Sequence, residues 1–490
     1  MDKPRHIEDL ADELISDILS FLLGSDYPSP EPSPTSPHGV PPNSNGRSAQ
    51  TYGEKSDLDR FRLVCRRFRR IGTPQKFPRF VLRFSSDGFR RLEDLLDMQL
   101  ACHVRYFTYM VRPFYQGSGW SHTLDGIDVD NLPVSAVHRH RLQDQKSIVD
   151  ADLDLLLLRR AIAAFSSLQQ IKLLRLQDEA DEHLLDCIHE RSLGGTARLD
   201  WEPACTRAVT NLSISLLESN CNSVRFVGPQ ISPKATVKLL QAPSTSLCAL
   251  GARLASLDVT FHSVANLSTH METLSSPFRD FFLAAKNLTA LHLGFPANAP
   301  LDLALEQLFH RLQWKRLRTL GIQGWRLGSE EIIALIRRHR RQLRDVRLAS
   351  IYLRSGRWRD VLSVLHDEMD HLEHINLREI DYTNHFDASA IANPSANGNA
   401  AGGSQTPTLA IVVQPIPDLP PHKAVLNGDY LSFAPAGSTR HSLPDATLEQ
   451  LRGMTVDELG DDGVRVRYEQ RRFWEAWVLS SQRSNVLRRN

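Results

Sequence analysis

The densest run of metal-ligating residue types is His366-Asp-Glu-Met-Asp-His371, followed by His374. Two histidines that share a metal on one helix stand four apart, as in HExxH. Five apart they diverge, so the run does not read as a metal site. Cys65, Cys102, Cys187, Cys205, Cys221 and Cys248 are scattered with no CxxC pair. They imply neither a zinc site nor a disulfide framework, and most read as small apolar core residues in a reducing compartment. His138-Arg-His-Arg141 reads as a loop. Arg337-Arg-His-Arg-Arg341 has the composition of a nuclear-import signal or an acid-binding patch, yet a helix C-terminus favours basic residues in any case. Arg66-Arg67 and Arg69-Arg70 read the same way. No P-loop, GxSxG or GxGxxG stands at strand–helix spacing. The chemistry-bearing residues therefore form no catalytic constellation. No metal or cofactor is expected, and the function rests on binding.

The chain has 490 residues, with 58 Lys+Arg against 57 Asp+Glu. That balance lacks the net basic field of a dedicated nucleic-acid binder. The start, Met-Asp-Lys-Pro-Arg-His-Ile-Glu-Asp, has no basic segment followed by an apolar one, so it is not a secretory signal. The densest apolar run, Leu155 to Leu158, is far short of the roughly 20 residues a membrane span needs. A soluble protein of the cytoplasm or nucleus is expected, with no nucleic-acid or membrane partner.

Residues 24–55 hold seven prolines between Pro28 and Pro42 amid Ser, Asn and Gly, and read as a disordered loop. Residues 384–408 read as a second such linker, and 116–150 as irregular and polar. Between them recur apolar triplets spaced L-x-x-L-x-L. They are Phe77/Phe80/Leu82, Val104/Phe107/Tyr109, Leu168/Ile171/Leu173, Leu254/Leu257/Val259, Leu288/Leu291/Leu293, Leu317/Leu320/Ile322, Leu343/Val346/Leu348 and Leu372/Ile375/Leu377. Cys221/Val224/Phe226 is a poorer ninth, and the gap from 173 to 254 is irregular. Single triplets occur by chance; the spacing carries the signal. From Leu254 the steps are 34, 29, 26 and 29, in or near the range of a leucine-rich repeat.

The intervening segments read as helices. Ser329 to Arg341 starts with a Ser cap and two acids and ends in basic residues, with Ile332, Leu335 and Ile336 on one face. Trp358 to Leu372 reads likewise, with Val361, Leu362, Val364, Leu365 and Met369 buried. One strand plus one helix cannot bury its apolar face alone, so the units must stack. Residues 464–490 read as a helix docked on the end of the stack, through the i,i+4 pairs Phe473/Trp477 and Trp474/Val478.

The N-terminus reads as two amphipathic helices around the Pro-rich insert. In the first, Leu10, Leu14, Ile18 and Leu22 recur at i+4, and Asp12 and Glu13 suit its N-terminus. The second starts at the capping-box-like Ser56-x-x-Asp59. It has Leu58, Phe61, Val64, Cys65 and Phe68 as its apolar face, and Gly72 and Pro74 end it. Together they resemble an F-box. Leu10, Glu13, Leu14, Ile18 and Leu19 match the first half of that motif, and Leu58, Arg62, Val64, Cys65, Arg66 and Phe68 match the second. Ala11 replaces the usual Pro, and the connection is longer than usual, which loop-closure entropy tolerates. The following segments, Thr73 to Phe84 and His103 to Tyr109, are similar to fungal F-box proteins that run into degenerate leucine-rich repeats.

The resemblance implies an α/β chain: a small helical F-box (1–75, with the disordered insert 24–55), an irregular leucine-rich-repeat solenoid (76–383), a disordered linker (384–408) and a C-terminal extension (409–490, with a helix over 464–490). It implies a non-catalytic substrate-receptor subunit of an SCF-type E3 ubiquitin ligase, acting in ubiquitin-dependent protein degradation. A Skp-type adaptor bridging to cullin would meet Leu10, Leu14, Ile18, Leu19, Leu22, Leu58, Val64, Cys65 and Phe68. An unknown protein substrate would meet the concave strand face. Asp258, His292, Gln323, Arg347, Asn376 and Arg378 flank the inward leucines there, because strand side chains alternate. Rival readings are a repeat scaffold without a ligase and an enzyme with an unrecognised site.

Overall fold

A computed structural model describes residues 10–22, 57–128, 132–190, 197–231, 244–261, 267–392 and 448–481. The expected insert at 24–55 lies wholly outside them, as do residues 393–408 of the expected linker and residues 482–490 of the expected C-terminal helix.

The alternation of apolar triplets with amphipathic segments yields a mixed α/β fold around a ten-stranded parallel sheet. Its strands follow one another in chain order: β1 (Arg79–Arg83), β2 (Tyr106–Val111), β4 (Gln170–Arg175), β6 (Val224–Ile231), β7 (Leu254–Phe261), β8 (Ala290–Gly294), β9 (Thr319–Gly328), β10 (Asp345–Ser355) and β11 (His374–Arg378). The short β12 (Asp381–Tyr382) also pairs with β10. A separate antiparallel pair joins β3 (Phe114–Gln116) to β5 (Arg198–Asp200).

The triplets set the register. Phe80, Phe107, Ile171, Phe226, Leu257, Leu291, Leu320, Val346 and Ile375 stand side by side across nine strands. Eight of these are the middle residues of the expected triplets. In β6 the row is taken by Phe226 rather than Val224, so the ninth triplet is displaced by two residues. A two-residue slip keeps the same face inward, which is why periodicity cannot detect it.

Helices connect successive strands and pack on one another in chain order, from Ser86–Asp97 through Leu153–Ala164, Trp201–Glu218, Ser244–Arg253, Ser275–Ala284, Leu305–Phe309, Ser329–Arg338 and Trp358–Asp367 to Tyr468–Leu479. One continuous apolar core lies between this row and the sheet, with Phe107, Phe165, Phe282, Trp325, Trp358 and Trp474 fully buried. Close packing fixes the backbone of β9. Gly324 adopts φ +67°, and a Cβ there would lie 2.1 Å from the Phe295 carbonyl oxygen.

Several local expectations are corrected. Residues 116–150 are largely helical, over Trp120–Asp128 and Leu132–Asp150, so His138 to Arg141 is no loop. The expected linker begins as a helix, Thr383–Ala392, held by Phe386 against Tyr352 and by Asp387 accepting from Arg326 at 2.7 Å. The Ser329 helix ends at Arg338 and its N-cap is Gly328, whose N–H donates to the Glu331 carboxylate at 2.7 Å. The Trp358 helix ends at Asp367, although Met369 and Leu372 beyond it are still buried. The gap from 173 to 254 holds the helix Glu179–Glu190, β5, the helix Trp201–Glu218, β6 and the helix Ser244–Arg253. Of the cysteines only Cys205 is buried, and Cys102 is exposed.

The C-terminal helix spans Tyr468–Leu479 and docks on the edge strand β11. Phe473, Trp474, Trp477 and Val478 are buried, as the i,i+4 pairs require. Edge strands carry unpaired backbone groups. Here the Glu475 carboxylate accepts from the Leu377 N–H at 2.5 Å. Burial pushes that carboxyl up to about 7. The segment before the helix is tied back as well: the Tyr382 hydroxyl and the Arg359 N–H donate to Asp461 at 2.6 and 2.9 Å.

Candidate functional site: a helical unit and an open sheet face

The N-terminal unit is three helices, Asp12–Leu22, Asp57–Val64 and Arg66–Lys76, where the sequence suggested two. The second expected helix breaks at Cys65, which is extended (φ −156°, ψ 170°) and whose Sγ accepts from the Phe68 N–H at 3.4 Å. Pro74 lies inside the third helix rather than ending it. Ile15, Leu19, Leu58, Phe68 and Ile71 form a small core of their own, with Phe61 stacked on Phe68 at 4.5 Å. The first and third helices are pinned together by Asp12, which accepts from Arg67 Nε at 2.6 Å and also from Arg70. The Arg67 hydrogen bond, joined by the charges of Arg67 and Arg70, holds the Asp12 carboxyl below its ordinary value despite some desolvation.

This packing sorts the residues expected to meet an adaptor. Leu14, Ile18 and Val64 face solvent at 52%, 42% and 63% exposure. Leu19, Leu58 and Phe68 are buried in the unit's own core, and Leu10 and Cys65 are half-buried against it. The Leu22 side chain lies outside the described residues. Leu14 and Ile18 of the i+4 ridge thus lie on the outer face of the first helix, and its inner face is the adjacent pair Ile15 and Leu19. Leu63, at 65% exposure, was missed by the sequence reading, because it falls between the motif positions. Among the described residues, four of the twelve exposed large apolar side chains belong to this short unit.

On the open face of the sheet the expected row is in register. Asp258, His292, Gly321, Arg347 and Asn376 stand side by side, as do Thr260, Gly294, Gln323, Ala349 and Arg378. Their neighbours along the strands are mostly buried Leu, Ile, Val or Phe, so the alternation holds. His292 Nδ1 meets Asp258 Oδ1 at 2.9 Å. Burial raises the Asp258 carboxyl, but the His292 hydrogen bond and the charges of His292, Arg225 and Arg347 outweigh it and hold the group below its ordinary value. Gly321 makes room for the imidazole; a Cβ there would sit 2.4 Å from the His292 ring. Arg347 is bound to Asp345 at 2.7 Å, and Asn376 and Arg378 are exposed.

A polar knot absent from the sequence reading ties the β3–β5 module to the sheet. Arg112 and Arg141 together grip Asp178 and Asp181, with Nη–Oδ distances of 2.6 to 3.2 Å. Against the upward push of burial, the two guanidiniums hold Asp178 well below the usual carboxylate range. Beside it the Tyr115 hydroxyl donates to His138 Nδ1 at 2.7 Å, while His138 Nε2 donates to the Ala180 carbonyl at 2.9 Å. Burial keeps this imidazole neutral by lowering its pKa. Two cations against two anions leave no net charge to act on a substrate, so the knot reads as an anchor.

The other flagged runs are largely absorbed. Arg337 pairs with Glu368 at 2.6 Å, and Arg338 pairs with Glu306. His339 is buried, accepting from the Trp314 N–H at 3.2 Å and facing the Leu335 carbonyl at 3.0 Å. His366 stacks on Trp477 at 4.1 Å, covering the C-terminal helix. Among the described residues no group of three or more His, Cys, Asp or Glu could hold a metal ion, and no helix is long and apolar enough to cross a membrane. Compared with protein-family models the chain matches none, and compared with the curated proteins it has no match.

Proposed function

We propose that this chain is a substrate-receptor subunit of an SCF-type E3 ubiquitin ligase, with an F-box at its N-terminus and a leucine-rich-repeat solenoid behind it. One observation carries the reading. A short three-helix unit closes a core of its own and still directs Leu14, Ile18, Leu63 and Val64 into solvent. Exposing that much apolar surface on so small a unit is costly in water unless a partner covers it. The order Leu10, Glu13, Leu14, Ile18, Leu19, then Leu58, Arg62, Val64, Cys65, Arg66, Phe68, is the order the F-box resemblance rests on. The repeat reading is supported by the chain-order parallel strands with a helical row packed in the same order. In this account the chain does no chemistry. It raises the effective concentration of a substrate near a ubiquitin-charged enzyme.

The test is co-purification of the full chain with a Skp-type adaptor, comparing wild type with Leu14→Asp/Ile18→Asp. Both positions are exposed, so the double variant should fold with an unchanged thermal midpoint and lose adaptor binding by at least about a hundredfold. Undiminished binding by the folded double variant would sink the adaptor role of this surface. Absence of binding by wild type would leave a repeat scaffold without a ligase.

A further inference from the structure

The two halves of the open sheet face differ in charge. On β7 to β11 the outward positions carry Asp258 and Asp345 alongside Arg347 and Arg378, a balanced set with internal pairs. On β1, β2, β4 and β6 they carry Arg79 and Arg83, Lys172, and Arg225, and no aspartate or glutamate occurs anywhere in residues 79–83, 106–110, 170–174 or 225–228. Four positive charges therefore stand on that half, of which Arg225 also acts on Asp258 of the neighbouring β7 and Lys172 is held by contacts of its own.

Geometry narrows the ligand. Arg79, Tyr106, Gln170 and Arg225 stand in one row across four strands. At about 4.8 Å per strand, Arg79 and Arg225 are roughly 14 Å apart. Arg79 and Arg83 are about 13 Å apart along β1. Cations anchored so far apart suit separate binding groups better than one phosphate or one small acid. They match separate carboxylates strung along a polypeptide, of which about five residues cross the four strands. The same area shows apolar surface: Val81 and Tyr106 are each 37% exposed, and the Arg79 guanidinium lies 5.6 Å from the centre of the Tyr106 ring.

We propose that the β1–β6 half of the open face docks an acidic polypeptide segment lying across the strands, with Arg79 and Arg225 meeting its carboxylates and Val81 and Tyr106 its apolar side chains. Under the receptor reading this segment belongs to the substrate. The proposal rests on that reading only for the segment's role, because the binding itself involves no adaptor.

The test uses the full chain and three labelled probes: an eight-residue Asp/Glu-rich peptide with one central Leu, its Asn/Gln counterpart, and a single-stranded oligonucleotide of equal charge. The acidic peptide should bind, weaken with added salt, and lose at least about tenfold in affinity in Arg79→Glu/Arg225→Glu. Arg347→Glu, on the other half, should change it less than about twofold. Equal peptide binding by wild type and the β1/β6 double variant overturns the proposal. So does binding of the neutral peptide as tight as the acidic one, or tighter binding of the oligonucleotide. Adaptor binding measured on the same double variant should be unchanged. A failure here is thereby distinguishable from a failure of the F-box reading.

Discussion

Among the described residues, the helical unit over 12–22 and 57–76 closes its core with five buried side chains and leaves Leu14, Ile18, Leu63 and Val64 outside. The sheet body runs one continuous core from Leu82 to Val478 and covers even its last strand with the Tyr468–Leu479 helix. The body closes many of its own contacts: its edge N–H finds Glu475, His339 and His138 find backbone partners, and Arg337 and Arg338 find carboxylates. A short region whose apolar side chains stay outside its own core is suited to being covered, and a region with one continuous core and a covered edge is suited to holding shape while its polar face does the recognising.

Core truncation should separate the two regions most strongly. Trp325 is fully buried, packs on Phe295 at 5.0 Å and donates its indole N–H to the Leu303 carbonyl at 2.8 Å. Trp325→Ala should cost the body about 3–5 kcal/mol, read as a lower thermal or urea midpoint for the main transition. Phe68→Ala should unfold only the helical unit, seen as proteolysis within residues 57–76 with the main transition unmoved. A shift of the main transition by Phe68→Ala would show that the two cores fold as one.

Two buried groups give the body smaller, opposite responses to pH. Burial lowers His339 to about 4, so its neutral form stabilises the fold above pH 6.5 and that stability is lost as pH falls from 6.5 towards 4. Burial raises Glu475 to about 7, so its contribution is present below pH 4.5 and is lost as pH rises through 7. Each amounts to at most about 3 kcal/mol. Glu475→Gln keeps the acceptor without the charge. It should raise the thermal midpoint at pH 8 and remove the loss between pH 5 and 8, whereas an unchanged pH profile would mean that Glu475 is solvated. The His339 imidazole should show no titration by NMR above pH 5.

The strands were legible because each carries apolar residues two apart with a third placed three before, and eight triplets sit where that spacing puts them. The row Asp258, His292, Arg347 and Asn376 followed from the same alternation. What stayed hidden is held by polar groups or by local geometry. Residues 132–150 are anchored through His138, Arg141 and Asp144 rather than by an apolar stripe, so periodicity had nothing to find. The break at Cys65 is capped by a thiol, outside the usual capping residues. At the N-terminus the Leu10–Leu14–Ile18 ridge was visible, but its direction was not. Only the packing of Ile15 and Leu19 against Phe68 shows that Leu14 and Ile18 face out while Leu10 leans on the core.

Hydrogen exchange on the full chain, with and without a purified Skp-type adaptor, tests the division between the two regions most directly. The account predicts new protection confined to residues 12–22 and 57–76, with the strands from Arg79 to Arg378 unchanged. Protection on the sheet face instead, or none anywhere at saturating adaptor, would contradict it.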